Sequence, residues 1–329
     1  MSAPYRHYCT YFDCNYAVRA LTLYRSLERT SEGPFTCWML CLDDPSRALL
    51  EKLRLPHARL LEASALEAFD GELAATKADR SRVEYYWTTT PALPLWLMGR
   101  EKLSLVTYLD ADLFFFSSPE ALFTELGDRS ILIVPHAFPE PTAELLQYGI
   151  FNVGALAFRD DSAGRACLER WRRQCIEWCR ATPEPGRFGD QVYLNEWPVL
   201  WGDQLAIAQH PGLGAGPWNE RALSLTAPRR SGAPPQVNDH DMVFFHFHGL
   251  KTLSPRVASV VSMYHPRPAT KRFLYGPYLR AHREAWREVA AVDPTFRAGL
   301  DGLGLRRVLS CFRHRSLFVA SRFGTIFAP

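Results

Sequence analysis

Two hydrophobic periods alternate along the first half of the chain. "YRHYCTYFD" reads as a strand, and "FTCWMLCLD" is a short run apolar on both faces, as a parallel strand covered by helices would be. Each is followed by a stretch whose apolar positions recur every three or four residues, "NYAVRALTLYRSLERT" and "PSRALLEKLRL", the period of an amphipathic helix. "ARLLEAS" predicts a third strand, and "VEYYWTTTPALPLWLMGR" a helix interrupted by Pro91 and Pro94. "LVTYLDADLFFF" and "SILIVPHAF" predict two more strands, and "YGIFNVGALAFRD" another. An amphipathic helix, "AGRACLERWRRQCIEWCRAT", comes next, then "FGDQVYLNEWPVLW" as a short helix with loops. "RRSGAPPQVNDHD" (229–241) is a loop by composition, and "DMVFFHFHGLK" a strand ending in histidines. Alternating strands and helices predict an α/β fold with a mostly parallel central sheet.

Composition changes this picture only at the C-terminal end. Of 329 residues, 47% are hydrophobic and 22% charged, enough for a substantial core. The start, "MSAPYRHYCTYFDCNYAV", lacks the apolar segment of a signal peptide, and no apolar run reaches the roughly 18 residues of a membrane span. A cytoplasmic protein is expected. From Arg267 onward 12 Lys/Arg face 4 Asp/Glu, against 26 and 31 before it, so the net +3 hides an acidic body and a basic tail. The predicted division is a catalytic domain, 1–265, and a basic, amphipathic, helical extension, 266–329. Arg interleaved with Phe, Leu, Val and Trp in that tail suits an anionic membrane surface, placing the protein at the inner face of the membrane; a solvated helical cap is the alternative. Nucleic acid is the less favoured partner. The eight cysteines include no CxxC, and Cys175 and Cys179, four apart, are expected to be core thiols.

Chemistry concentrates in two places. Asp110 and Asp112 sit one residue apart inside an apolar run, where unpartnered carboxylates are costly; a divalent cation would compensate both. They either project together from a strand or lie where it breaks into a loop. "HFHGLK" adds His246, His248, Gly249 and Lys251 after another apolar run. Two carboxylates and one imidazole favour Mn²⁺, with Mg²⁺ as the alternative, and leave positions for two phosphate oxygens. Either histidine could be the ligand. Gly249 allows close approach of an anion, and Lys251 can reach the same anion.

With these motifs in order, residues 5–251 resemble the family 8 retaining glycosyltransferases of GT-A fold, which include glycogenin and bacterial lipopolysaccharide galactosyl- and glucosyltransferases. The resemblance implies a nucleotide-diphospho-sugar transferase fold and transfer of a hexose from a UDP-sugar to a glycan or glycolipid, with anomeric retention. In "YFDCNY" it implies Asp13 and Asn15 at the uracil edge and Tyr16 stacked on the base. "YLDADLFFF" gives Asp110 and Asp112 as metal ligands, Asp110 also near the ribose. "FNVGALAF" implies Asn152 and Gly154 against the donor sugar; "FGDQVYLN" implies Asp190 on its hydroxyls and Gln191 beneath the anomeric carbon. "HFHGLK" implies His246 as third ligand and Lys251 on the diphosphate, though Lys251 stands one residue closer to Gly249 than the family pattern. The family's basic residue in the helix before D-x-D is missing, with Arg80 or Arg82 the only substitutes nearby.

Simpler roles exist for several of these residues. Asp13 and Asn15 could cap the following helix, Asp190 could be another N-cap, and Asn152 a polar strand residue satisfied by backbone. Trp218 and Asn219 in "GPWNE" suggest an ordered loop on the acceptor side. An aspartyl phosphotransferase is disfavoured by Phe114 two residues after the second Asp, and a nucleotidyltransferase by the lack of glycine in "TYFDCNYAVR". The competing function is a non-catalytic nucleotide-sugar or glycan-binding protein on the same fold.

Overall fold

The structure is a computed structural model describing residues 3–139, 143–260, 266–302, 317–321 and 324–327. The boundary expected at 265 and the basic stretch 303–316 lie outside the described residues.

Strands β1 (Arg6–Phe12), β2 (Phe35–Cys41), β3 (Ala58–Glu62) and β4 (Leu105–Leu109) form the first half of a seven-stranded sheet. After the short β5 (Leu113–Phe115), which leaves the sheet, β6 (Ile131–Pro135), β7 (Phe151–Arg159) and β8 (Leu205–Ile207) complete it in the order β3-β2-β1-β4-β7-β6-β8. Four of the six pairings are parallel; β7 runs against both its neighbours. The start of β7 therefore lies where β4 and β6 end: Asn152 is level with Val134, and Ala155 with Leu109.

Alternating side chains bury both faces of this sheet. Tyr8 faces helix α1 (Ala17–Thr30) and helix α2 (Asp44–Leu53), while Cys9 faces the other core, built with the helices Ala92–Glu101 and Ser162–Glu177. Helix α2 is capped by Asp43, whose carboxylate accepts the Ser46 N–H at 2.9 Å. Cys175 and Cys179 are fully buried, and no disulfide occurs among the described residues.

Three expectations from the pattern need correction. "LVTYLDADLFFF" is two strands, not one: β4 ends at Leu109, and β5 pairs antiparallel with the strand Phe244–His246 instead. The helix is interrupted at Pro91 as expected, giving Arg82–Thr89 and Ala92–Glu101, but not at Pro94, which falls in the first turn of the second helix, where an N–H has no helical acceptor. Within 229–241 the chain is not all loop. The strands Gln236–Val237 and His240–Asp241 join across Asn238 and Asp239, both at positive φ as a tight hairpin turn requires, and Gln236–Val237 also pairs with Leu225–Thr226.

The long helix of the C-terminal region, Gly276–Val292, packs on α1. Its Ala285, Trp286 and Val289 enter the same core as Leu21 and Leu49, and Arg25 binds Glu288 at 2.6 Å. Among the described residues no helix is long and apolar enough to cross a membrane.

Candidate active site

The break between β4 and β5 creates the centre of the site. The turn at 110–112 is held from both sides by main chain: the Asp110 N–H donates to Gly154 O at 2.8 Å, and the Phe247 N–H donates to Asp112 O at 2.9 Å. These bonds bring three segments together, and the side chains follow. His246 Nε2 lies 2.9 Å from Asp112 Oδ1 and 3.7 Å from Asp110 Oδ2, while the Tyr108 hydroxyl donates to Asp110 Oδ1 at 2.7 Å. One ligand atom each from Asp112, His246 and His248 lie within 4.8 Å of one another.

Charge is unevenly shared in this cluster. Burial lifts the Asp110 carboxyl above its usual range, with the Asp112 charge adding to it against the pull of His246. Burial also works against ionised Asp112, yet the charge and hydrogen bond of His246, with His248 and Arg19 behind them, hold it well below the carboxylate range. Burial disfavours a charged His246 ring, but Asp112 and Asp110 together raise it. The ion pair thus occupies the place of a cation–carboxylate contact. Metal binding would exchange the Nε2 proton for the cation, as the donor set of two carboxylates and imidazole allows.

Asn152 joins this cluster to its surroundings. Its Oδ1 accepts the Gly154 N–H at 2.8 Å and faces His246 Nδ1 at 3.3 Å; its Nδ2 donates to His136 Nε2 at 3.2 Å and faces Gln191 Oε1 at 3.4 Å. A backbone-satisfied strand residue would need fewer partners. Gly154 is glycine because a Cβ there would stand 2.5 Å from Asn152 Oδ1 and 2.8 Å from His246 Nδ1.

Beside the cluster opens a cavity of about 790 Å³. Its walls carry Asp110, Asn152, Asp190, Gln191, His246 and His248, and an aromatic rim of Trp87, Phe138, Tyr148, Phe188 and Trp218. Gln191 is held at both ends: Nε2 donates to Tyr148 O at 2.6 Å, and Oε1 accepts the Val153 N–H at 3.3 Å. Asp190 is not the cap of a helix: the short turn that follows begins after Gln191, with no side-chain cap. Burial, with the Asp110 charge, pushes its carboxyl up to about 7 against a hydrogen bond from Thr90. Trp218 reaches His136 O through Nε1 at 2.9 Å, and Asn219 ties the same loop to His136 O and Gly214 O.

The remaining candidates lie outside this cavity wall. Asp13 is buried; its oxygens accept the Asn15 N–H and Nδ2 and the Tyr86 hydroxyl at 2.9–3.2 Å, and Arg82 lies 3.8 Å away. Neither Asp13 nor Asn15 is the helix cap, a position occupied by Tyr16. Asn15 Oδ1 instead accepts the Gly299 N–H at 3.1 Å. Tyr16 is exposed, with the Arg19 guanidinium 4.2 Å from its ring centre; Arg19 Nη2 also donates to Leu250 O at 2.6 Å. Gly249 has φ +71°, a left-handed conformation at the turn into the strand Leu250–Ser254, where Lys251 is exposed. Arg80 is bound to Asp79 and Ile176 O, at 2.6 and 2.9 Å. Sequence patterns pointed to neither His136 nor Arg19, and within the aromatic rim only to Trp218: "SILIVPHAF" signals only a strand, and the rim is drawn from five separate segments.

No family model matches the chain. It is 30% identical over 297 residues to the uncharacterized protein YfnF of Bacillus subtilis (strain 168), spanning 88% of this chain and 95% of that one. Among solved structures, an active-site mutant of LgtC aligns with a TM-score of 0.50 at 16% identity, over 91% of this chain and 98% of that one. The galactosyltransferase LgtC in complex with donor and acceptor sugar analogs aligns over the same shares, with a TM-score of 0.49 at 16% identity. The likeness is one of architecture: the chain has the mixed α/β fold of GT-A type, its mostly parallel sheet flanked by helices.

Proposed function

The chain belongs to the same family as YfnF of Bacillus subtilis, and we propose that it is a cation-dependent glycosyltransferase moving a hexose from a UDP-sugar to a glycan or glycolipid, with retention of anomeric configuration. One observation carries this proposal: the turn at 110–112 is locked against His246, whose ring is held so that Nε2 faces both carboxylates, beside a cavity with an aromatic rim. Such a rim suits the flat faces of sugar rings, and the carboxylate–imidazole set suits Mn²⁺. A cation bound there supplies positive charge to the diphosphate leaving group.

The chain's own residues do the rest. Asp110, Asp112 and His246, with His248 as the alternative imidazole, hold the cation. Asp13, Asn15 and Tyr16 take the uridine, Asn152 and Gly154 the donor sugar, and Gly249 and the exposed Lys251 the diphosphate. Asp190 contacts sugar hydroxyls. Transfer breaks the bond from the anomeric carbon to the diphosphate oxygen, which keeps the electron pair. The acceptor oxygen forms the new bond on the same face and gives its proton to the departing phosphate. Gln191, an amide tied at both ends, offers a fixed dipole rather than a nucleophile.

Calorimetric titration of UDP with and without Mn²⁺, on the native chain and Asp112→Asn, tests this. UDP binding that requires Mn²⁺ and disappears in the variant is expected. Absence of any nucleotide binding with Mn²⁺ present would refute the proposal. Turnover on a UDP-sugar, lost in the same variant, distinguishes a transferase from a binding protein.

A further inference from the structure

We propose that His136 is a positioning residue for the cation site, acting through Asn152 to set which ring nitrogen of His246 faces Asp110 and Asp112. The inference rests on the cation-dependent function proposed above. It starts from two backbone groups whose roles are not negotiable. An N–H can only donate, so the Gly154 N–H at 2.8 Å makes the atom opposite it Asn152 Oδ1. The same oxygen faces His246 Nδ1 at 3.3 Å, so Nδ1 carries a proton, and Nε2, 2.9 Å from Asp112 Oδ1, is the nitrogen whose proton a cation would displace.

At the other end, Gly149 O can only accept. His136 Nδ1 lies 2.8 Å from it and therefore bears a proton. In the neutral ring Nε2 is then a bare acceptor, and it faces Asn152 Nδ2 at 3.2 Å. The hydrogen bonds form one directed chain, His246 to Asn152 at one end and Asn152 to His136 to Gly149 at the other, with every donor matched to an acceptor. Gln191 Oε1, 3.4 Å from Asn152 Nδ2, supports the same orientation at longer range.

The surroundings keep His136 neutral and fixed. It is buried, and burial, together with the positive field of His246 and His248, presses its ring down to about 4. A protonated His136 would put a donor against the Asn152 amide and break the chain. The ring is stacked on Phe138 at 4.6 Å between centres and meets Trp218 edge to face at 5.3 Å, while its own carbonyl anchors Trp218 and Asn219. Partners of this kind behind a metal-binding imidazole raise its basicity and set its orientation, and their removal costs about 10–100-fold in metal affinity.

Two variants separate positioning from packing. His136→Phe keeps the stacked ring but loses both hydrogen bonds; His136→Gln can still donate to Gly149 O and accept from Asn152. Mn²⁺ affinity, titrated by calorimetry without nucleotide, is expected to fall about tenfold in His136→Phe and to recover in His136→Gln. Nitrogen-15 shifts of the histidine rings in the metal-free native protein give a second readout that needs no variant. They should show His136 neutral with the proton on Nδ1, and His246 protonated on Nδ1. Equal Mn²⁺ affinity in folded His136→Phe, or a His136 proton on Nε2, overturns the inference. Failure of the native protein to bind Mn²⁺ counts against the cation-dependent function instead, while the ring shifts still test the hydrogen-bond chain.

Discussion

Asp190 shows how one residue of the site ties stability to pH. In an unfolded chain its carboxyl releases its proton near the ordinary 3.8, but in the folded protein only at about 7. Between these values the native state holds a proton that the unfolded state has lost, so stability falls as pH rises and then levels off. A shift of this size corresponds to at most about 4 kcal/mol. Asp190→Asn removes the titration while keeping an acceptor for Thr90. The stability gap between variant and native chain, from urea titrations at several pH values, should widen in the variant's favour from pH 4 to pH 7. A gap independent of pH would mean that Asp190 titrates normally. His136, pressed down to about 4, acts in the opposite sense over pH 4–6.5 and cancels in the comparison. At this scale the sequence was readable where chemistry clashed with its setting. Two acids in an apolar run and histidines after a strand announce themselves, and the structure brings Asp110, Asp112, His246 and His248 together. His136 is silent because its meaning depends on β6 ending beside the start of β7, a neighbour relation that no local pattern encodes.

Among elements, the helix Gly276–Val292 has the clearest energetic role. Its amphipathic pattern drew attention to a lipid surface, yet its apolar side is spent inside the protein, where Trp286 packs on Phe296 and donates to His282 Nε2 at 3.3 Å. His282 in turn bridges Thr22 on α1 and Thr252, each at 3.1 Å. Trp286→Ala should therefore cost about 3–5 kcal/mol, read as a lower urea midpoint, and ending the chain at 265 should cost more. A truncated chain of native stability would show this helix to be an appendage. Periodicity finds such a helix but cannot tell what covers its apolar stripe. It also cannot see that β4 stops at Leu109, since Leu113, Phe114 and Phe115 continue the same apolar run and only their pairing with 244–246 differs.

On the scale of the whole molecule, the site is a meeting of distant segments. Asp112, His136, Asn152, Gln191 and His246 come from five parts of the chain, brought to one edge of the sheet because β7 runs against its neighbours. The order of motifs along the sequence was legible, since Asp110 and Asp112 follow a strand, Asn152 and Gly154 lie in one, and Asp190 and Gln191 follow a helix. Their convergence was not, since it depends on the reversed strand and on a pairing between β5 and the residues before His246.

That pairing, Phe115 with Phe244 and Leu113 with His246, also sets a timetable. It closes a loop of about 130 residues, whereas β1 and β2 pair residues about 29 apart, an entropic difference of about 1.3 kcal/mol against the longer closure. Early refolding therefore favours the parallel strands at the N-terminal end, and the β5 ladder comes late. Mn²⁺-binding competence, followed by stopped flow during refolding, should rise with the slowest phase rather than with the first gain of secondary structure. A molecule that has not finished folding would then be unable to hold the ion.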